Sequence, residues 1–176
     1  MDAQCMRQVY TLGHSTRPWP EFLKLLKQQG IELVADVRVW PSSRKFPHFH
    51  KEQLQEALAQ EGIAYEHFPG LGGYRKPKAD SPNTGIENPG FRGYADHMQT
   101  EEFQRDLTRL IERIREKRTA LLCAEALPWR CHRYLLSDLL VVKGFEVLHV
   151  LREDRVQKHK LNPMAQVEGD WVIYPG

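Results

Sequence analysis

Cys123-Ala124-Glu125 and, a few residues on, Cys131-His132-Arg133 bring two thiols, a carboxylate, an imidazole and a guanidinium into one short segment. A cysteine becomes nucleophilic or metal-binding when cations or a helix N-terminus favour its thiolate. Cys131 is expected at or just before the first turn of a helix, where unsatisfied N–H groups and the macrodipole favour negative charge. Arg130, His132 and Arg133 add positive charge beside it, so the sequence points to Cys131 as the thiolate. The same helix start, with Arg133, suits a phosphate or another anion without any covalent chemistry. Cys123 ends a predicted strand and either packs there or joins the site, while Glu125 is the better general acid or base.

Three further stretches carry candidate groups. Thr11-Leu12-Gly13-His14-Ser15 holds an imidazole for which metal ligand, base and structural residue are all open readings, with Ser15 and Arg17 as anion-binding candidates. Asp36-Val37-Arg38 alternates along a strand, so both charged side chains share a face and Asp36 is expected to hold Arg38 in place; Ser42 and Arg44 follow in the same loop. Gly70-Leu71-Gly72-Gly73 can form a backbone nest of N–H donors with Tyr74, Arg75 and Lys76 beside it, or a plain tight turn. Cys123, Cys131, His132 and His14 have the donor atoms for zinc or iron. Adjacent Cys131 and His132 seldom both reach one ion and no Cys-x-x-Cys occurs, so no metal is expected and no cofactor is required. His48, His50, His67, His97, His149 and His159 lack ligand spacing and read as surface or loop residues.

These groups have to be positioned by the elements between them. Short β-branched runs alternate with longer stretches of helical spacing that end in glycine. Strands are expected at Val9–Leu12, Glu32–Val37, Ile63–His67, Thr119–Cys123 and Glu146–Leu151. Helices are expected after Pro20 with Phe22, Leu25 and Leu26 on one face, around Leu54, Ala57 and Leu58, over Glu101–Lys117, and over Arg133–Lys143. Residues from Pro69 to about Tyr94 show no apolar period and read as a long functional loop, and the tail suggests a small hairpin around Gly169. Strands separated by helices run parallel and bring every strand-to-helix loop to one sheet edge, where such folds bind ligands. The expectation is a single α/β domain over residues 1–176, Rossmann-like, with about five mostly parallel strands and helices on both faces. The strand-to-helix loops carry His14, Arg38, Cys123, Cys131 and most of the clustered cations; the opposite connections are glycine plus a residue or two.

A chain of 176 residues has the length for one well-filled core. Its formal charge of +2 is too small to demand nucleic acid, and no run is long and apolar enough for a membrane span. Three cysteines cannot all pair within the chain and no secretory pattern opens it, so free thiols in the cytosol are expected. Oligomeric state is not legible.

Taken together, Thr11-Leu12-Gly13-His14-Ser15, Asp36-Val37-Arg38 with Pro41 and Ser42, Pro69-Gly70-Leu71-Gly72-Gly73, and Cys123-Ala124-Glu125 with Cys131-His132-Arg133 resemble the bacterial and archaeal family called domain of unknown function 488. The resemblance runs from Val9 to Leu151; Val39 and Trp40 take no role from it. It implies a compact α/β fold and a shared polar site, and it brings no reaction with it.

Three functional readings follow. The first is a hydrolase or transferase acting on a phosphorylated or nucleotide-like anion, with Cys131 as nucleophile, Arg133 and Arg38 as anion holders and Glu125 or His14 as proton carrier. The second is a nucleic-acid-binding module in which basic loops follow the phosphates and Tyr74, Phe91 and Trp129 stack on bases. The third is a thiol-based redox or metal sensor.

Overall fold

Alternate residues of β1 (Gln8–Gly13) feed two different cores, as a strand covered on both faces requires: Val9 points to one, Tyr10 and Leu12 to the other. The computed structural model describes residues 8–41, 45–73 and 75–176. Four more strands join β1 in parallel: β2 (Leu33–Asp36), β3 (Ala64–His67), β4 (Thr119–Cys123) and β5 (Glu146–Arg152), in the order β3-β2-β4-β1-β5. β2 and β4 are buried along their whole lengths, which accounts for their unbroken apolar sequence. An antiparallel edge strand, β6 (Arg155–Lys158), folds back on β5 through a turn at Glu153 and Asp154. A separate hairpin, β7 (Gln166–Glu168) and β8 (Trp171–Ile173), turns at Gly169, whose φ of 64° lies in the left-handed region.

The helices are α1 (Trp19–Gln28), α2 (Lys51–Gln60), α3 (Pro89–His97), α4 (Glu101–Glu116) and α5 (Arg133–Val142). Connections through α1 and α2 move toward the β3 edge, and those through α3–α4 and α5 move the other way. Right-handed crossovers then put the two groups on opposite faces. The cores agree: Phe22, Leu25, Leu26, Leu54 and Leu58 pack with Leu12, Val34 and Leu122, whereas Phe103, Leu107, Leu110, Leu135 and Leu139 pack with Val9, Ala35 and Leu121. Among the described residues no helix is long and apolar enough to cross a membrane.

The expected three-layer α/β architecture with five parallel strands and a terminal hairpin is present. Two elements lie outside that expectation. β6 is exposed throughout and carries no alternation to betray it. α3 falls in the stretch read as a loop because Gly90 and Gly93 dilute its pattern. A Cβ at Gly93 would lie 1.9 Å from the Arg75 carbonyl oxygen, so packing dictates that glycine. Its readable sign is Asn88-Pro89, a side-chain cap followed by proline in the first turn; Asn88 Oδ1 accepts from the N–H groups of Gly90 and Phe91 at 2.8 and 3.1 Å.

His149 and His159, expected at the surface, sit inside the sheet–α5 layer in a continuous hydrogen-bonded chain. Asp138 accepts from His159 Nε2 at 2.7 Å, His159 Nδ1 meets His149 Nε2 at 2.8 Å, and His149 Nδ1 meets Thr11 Oγ1 at 2.6 Å. A carboxylate at one end and a hydroxyl at the other let both rings stay neutral with every donor facing an acceptor. Burial first, then His159 and Arg133, pushes His149 down to about 3. Tyr174 donates to the second Asp138 oxygen at 2.6 Å, and its own N–H reaches Asn83 Oδ1 at 2.9 Å.

Candidate functional site

A cleft of about 500 Å³ opens over the C-terminal ends of β1, β2 and β4, lying between neighbouring strands whose following connections depart in opposite directions. The segments that follow four of the strands line its wall. β1 supplies His14, β2 Arg38, β3 Gly73 through its loop, and β4 Cys123, Glu125, Cys131 and His132. The start of α3 adds Asn88 and Phe91, and Trp40 stands at the mouth, 75% exposed.

Two glycines allow the walls to close. A Cβ at Gly13 would lie 1.8 Å from the Glu125 carbonyl oxygen, so β1 can only end against the β4 loop if that position is bare; one at Gly73 would lie 2.8 Å from His132 Nδ1. Beyond Gly13, Ser15 holds φ 45°, a left-handed conformation rare outside glycine and frequent at functional sites.

The two thiols meet at the foot of the cleft. Cys123 Sγ and Cys131 Sγ are 3.0 Å apart, both cysteines are free, and Arg133 Nη1 donates to Cys123 Sγ at 2.9 Å. Arg133 is fully buried; its Nη2 donates to the Ala126 carbonyl at 3.1 Å, and its Nε has no partner among the described residues. Burial pushes the Cys123 thiol up, but the hydrogen bond from Cys131 and the Arg133 guanidinium outweigh it and bring the group down to about 7. Burial and the neighbouring Cys123 sulfur push Cys131 well above its usual value. The arrangement therefore favours the thiolate at Cys123 rather than at Cys131, where it was expected: Cys131 donates to Cys123, and the guanidinium lies against Cys123. The cause is direction, because side chains at a helix start lean back toward its N-terminus, carrying the Arg133 guanidinium past Cys131 to the end of β4.

Both histidines of the cleft are neutral. His132 Nε2 donates to the Val37 carbonyl at 3.2 Å, leaving Nδ1 as a lone pair 3.6 Å from Cys131 Sγ; burial lowers the ring to about 4. His14 Nδ1 donates to the Ser15 carbonyl at 3.0 Å, so its acceptor is Nε2; the ring stacks on Phe49 at 4.4 Å, and burial lowers it to about 4 as well.

Asp36 performs the holding role expected of it. Its carboxylate accepts from Arg38 Nε at 2.9 Å and Nη2 at 2.7 Å, and from Tyr65 Oη at 2.5 Å. Arg38 Nη1 is buried with no partner among the described residues. Glu125 is exposed on the wall, and Oε1 accepts from the Leu127 N–H at 3.2 Å.

Other expected anion binders are committed elsewhere. Arg17 donates to the carbonyls of Gly13 and Leu151 and to Glu21, outside the cleft wall. Arg75 turns to the carbonyls of Gly72 and Pro69 and to Glu102. Of the two readings of the Gly70–Gly73 stretch, the tight turn is the one present: the N–H groups of Gly70, Leu71 and Gly72 are bound by Asp106, Phe68 and Pro69. His132, on the wall, holds the Val37 carbonyl, and Arg133, fully buried, holds the Cys123 sulfur. Ser42, Arg44 and Tyr74 lie outside the described residues. Among the described residues no three His, Cys, Asp or Glu side chains are grouped to hold a metal.

The wall also contains Arg130, expected beside Cys131, and two residues to which the sequence reading gave no role, Trp40 and Asn88. Trp40 carries a readable sign, an aromatic two residues after Arg38 in a polar loop. Asn88 and Arg130 reach the cleft through α3 and a 3₁₀ turn over Pro128–Arg130, and neither element shows an apolar period.

Residues 18–140 match the family model described as Domain of unknown function DUF488; this span includes the Asp36, glycine-turn and cysteine motifs, and the Thr11–Ser15 motif precedes it. No curated protein and no solved structure matches the chain.

Proposed function

This chain belongs to the family Domain of unknown function DUF488, and we propose that its cleft is the active site of a thiol-dependent hydrolase or transferase acting on a phosphorylated or nucleotide-like anion. The observation that carries this reading is the Cys123 sulfur on the cleft wall with a buried guanidinium 2.9 Å away. A thiolate available near neutral pH is the nucleophile such chemistry needs. Arg38, fixed by Asp36 and with Nη1 unpartnered, and Arg130 on the wall give the negative substrate its counter-charges. His14, neutral and with Nε2 as its acceptor, takes or returns the proton, and Glu125 serves as the alternative carrier.

The test is turnover of a panel of phosphomonoesters, phosphodiesters and nucleotides by wild type, Cys123→Ser and Cys131→Ser. The reading expects Cys123→Ser to lose activity entirely and Cys131→Ser to keep a measurable fraction. Full turnover by Cys123→Ser would remove the nucleophile from the scheme.

A second reading rests on Trp40 and Trp129, 75% and 48% exposed, with Phe91 on the same edge. Exposed aromatics near cations suit stacking on single-stranded nucleic acid. That reading expects oligonucleotide affinity that falls steeply with salt and survives Cys123→Ser. Absence of binding to any oligonucleotide at low salt sinks it.

A further inference from the structure

We propose that Cys123 and Cys131 form a reversible dithiol–disulfide couple, with a hydroperoxide as oxidant and Cys131 as the resolving thiol. This rests on the reading of Cys123 as the thiolate of the site. The geometry is already close to the product, since the sulfurs stand 3.0 Å apart and an S–S bond is about 2.05 Å. Both sulfurs border the same cleft, so a small peroxide that reaches one lies beside the other. The segment between them carries only a single 3₁₀ turn, Pro128–Arg130, which gives it room to adjust.

The chemistry balances without any other reactant. The Cys123 thiolate attacks one peroxide oxygen; the S–O bond forms, the O–O bond breaks, and the departing alkoxide takes up the proton that Cys123 had released. Sulfur loses two electrons and the peroxide gains them, leaving a sulfenic acid on Cys123. Cys131 Sγ then attacks that sulfur; S–S forms, S–O breaks, and the leaving hydroxide collects the Cys131 proton as water. His132 Nδ1, a lone pair 3.6 Å from Cys131 Sγ, stands where that proton can pause.

The surroundings also set the direction in which the couple leans. Reduced, the site satisfies Arg133 through the Cys123 sulfur; oxidised, it leaves a buried guanidinium whose remaining partner among the described residues is the Ala126 carbonyl. A couple whose reduced form is stabilised is the more oxidising one, so ordinary monothiols should reverse the bond.

The experiment treats the full chain with equimolar hydrogen peroxide, then maps peptides by mass spectrometry without reduction, and repeats both steps after adding glutathione. Two of the three thiols are expected to disappear into a Cys123–Cys131 crosslink that glutathione removes. Cys131→Ser is expected to stop at a sulfenic acid trapped by dimedone on Cys123, and Cys123→Ser to leave Cys131 unmodified. Direct passage of wild-type Cys123 to sulfinic acid, or a crosslink involving Cys5 instead, overturns the proposal. The rate of iodoacetamide reaction at Cys123 against pH is measured on the same protein. A midpoint near 7 without any crosslink defeats the couple alone, and a midpoint near 9 defeats the thiolate reading beneath it.

Discussion

Replacing Arg133 by Met tests the electrostatic core of the site most directly. In the native protein Cys123 sits at about 7 rather than 9.0, so close to half of it is thiolate at pH 7. Removal of the guanidinium leaves burial opposed only by the hydrogen bonds to Cys131 and the Glu125 carbonyl, so the group in Arg133→Met should titrate higher than in the native protein. Its thiolate fraction at pH 7 then falls, and alkylation should slow by about tenfold for each unit of the rise. The thiol answers by taking up a proton instead of remaining a stranded charge, so the fold should survive the change. The displacement from 9.0 to about 7 is worth on the order of 3 kcal/mol, at about 1.36 kcal/mol per tenfold. Because the folded value lies below the unfolded one, that stabilisation is fully present above pH 9 and disappears as pH falls through 7. Wild type and variant should accordingly differ most in urea midpoint at pH 9 and converge by pH 6. Arg133→Lys should recover part of both effects. The assay is the pH dependence of iodoacetamide reaction at Cys123, read by peptide mass. A wild-type midpoint near 9, or an Arg133→Met profile that overlays it, would refute the assignment.

Acid should weaken the fold well before its carboxylates titrate. His14 and His132 lie at about 4 and His149 at about 3 against 6.5 when unfolded, so the stability they confer is complete above 6.5 and is lost as pH drops toward 4. A urea midpoint that stays level from pH 7 to 4.5 contradicts this. Gly73→Ala should cost about 1–3 kcal/mol in urea titration, because its Cβ would press on a His132 ring that Val37 holds in place; an unchanged midpoint refutes the tight packing. Trp40→Ala should leave the melting temperature unchanged, since the side chain is 75% exposed, yet weaken oligonucleotide or nucleotide binding by about 5- to 150-fold if it stacks on a base. Unchanged affinity removes Trp40 from recognition.

What the sequence revealed, it revealed through periodicity. Phe103, Leu107, Leu110 and Ile114 mark α4 because the core needs one stripe, and they are the buried residues of that helix. The convergence of His14, Arg38, Glu125 and Cys131 was likewise readable, because parallel strands deliver their following loops to one edge whatever the strand order; of the glycine turn expected with them, Gly73 lines the cleft and Gly72 does not. Three things were hidden, each for a reason of three-dimensional packing. Neighbouring Cys131 and Arg133 suggested a pair, but the guanidinium leans back to Cys123. Arg17 and Arg75 read as free cations, and backbone carbonyls brought near by folding claim them. His149 and His159 have no spacing that joins them; they meet because β6 returns along β5 and carries the following residue inward.

The ring-to-ring contact of His149 and His159 links Asp138 to Thr11 on the central strand. Were both rings to carry two hydrogens, His159 Nδ1–H and His149 Nε2–H would face one another and that contact would have to open. Asp138 also anchors Tyr174, whose backbone braces Asn83 and Gly85, and Gly85 borders a smaller hollow that shares Asn88, Phe91 and Cys131 with the main cleft. Asp138, deep beneath α5, is thus joined by a short run of hydrogen bonds to residues on the rim of that hollow.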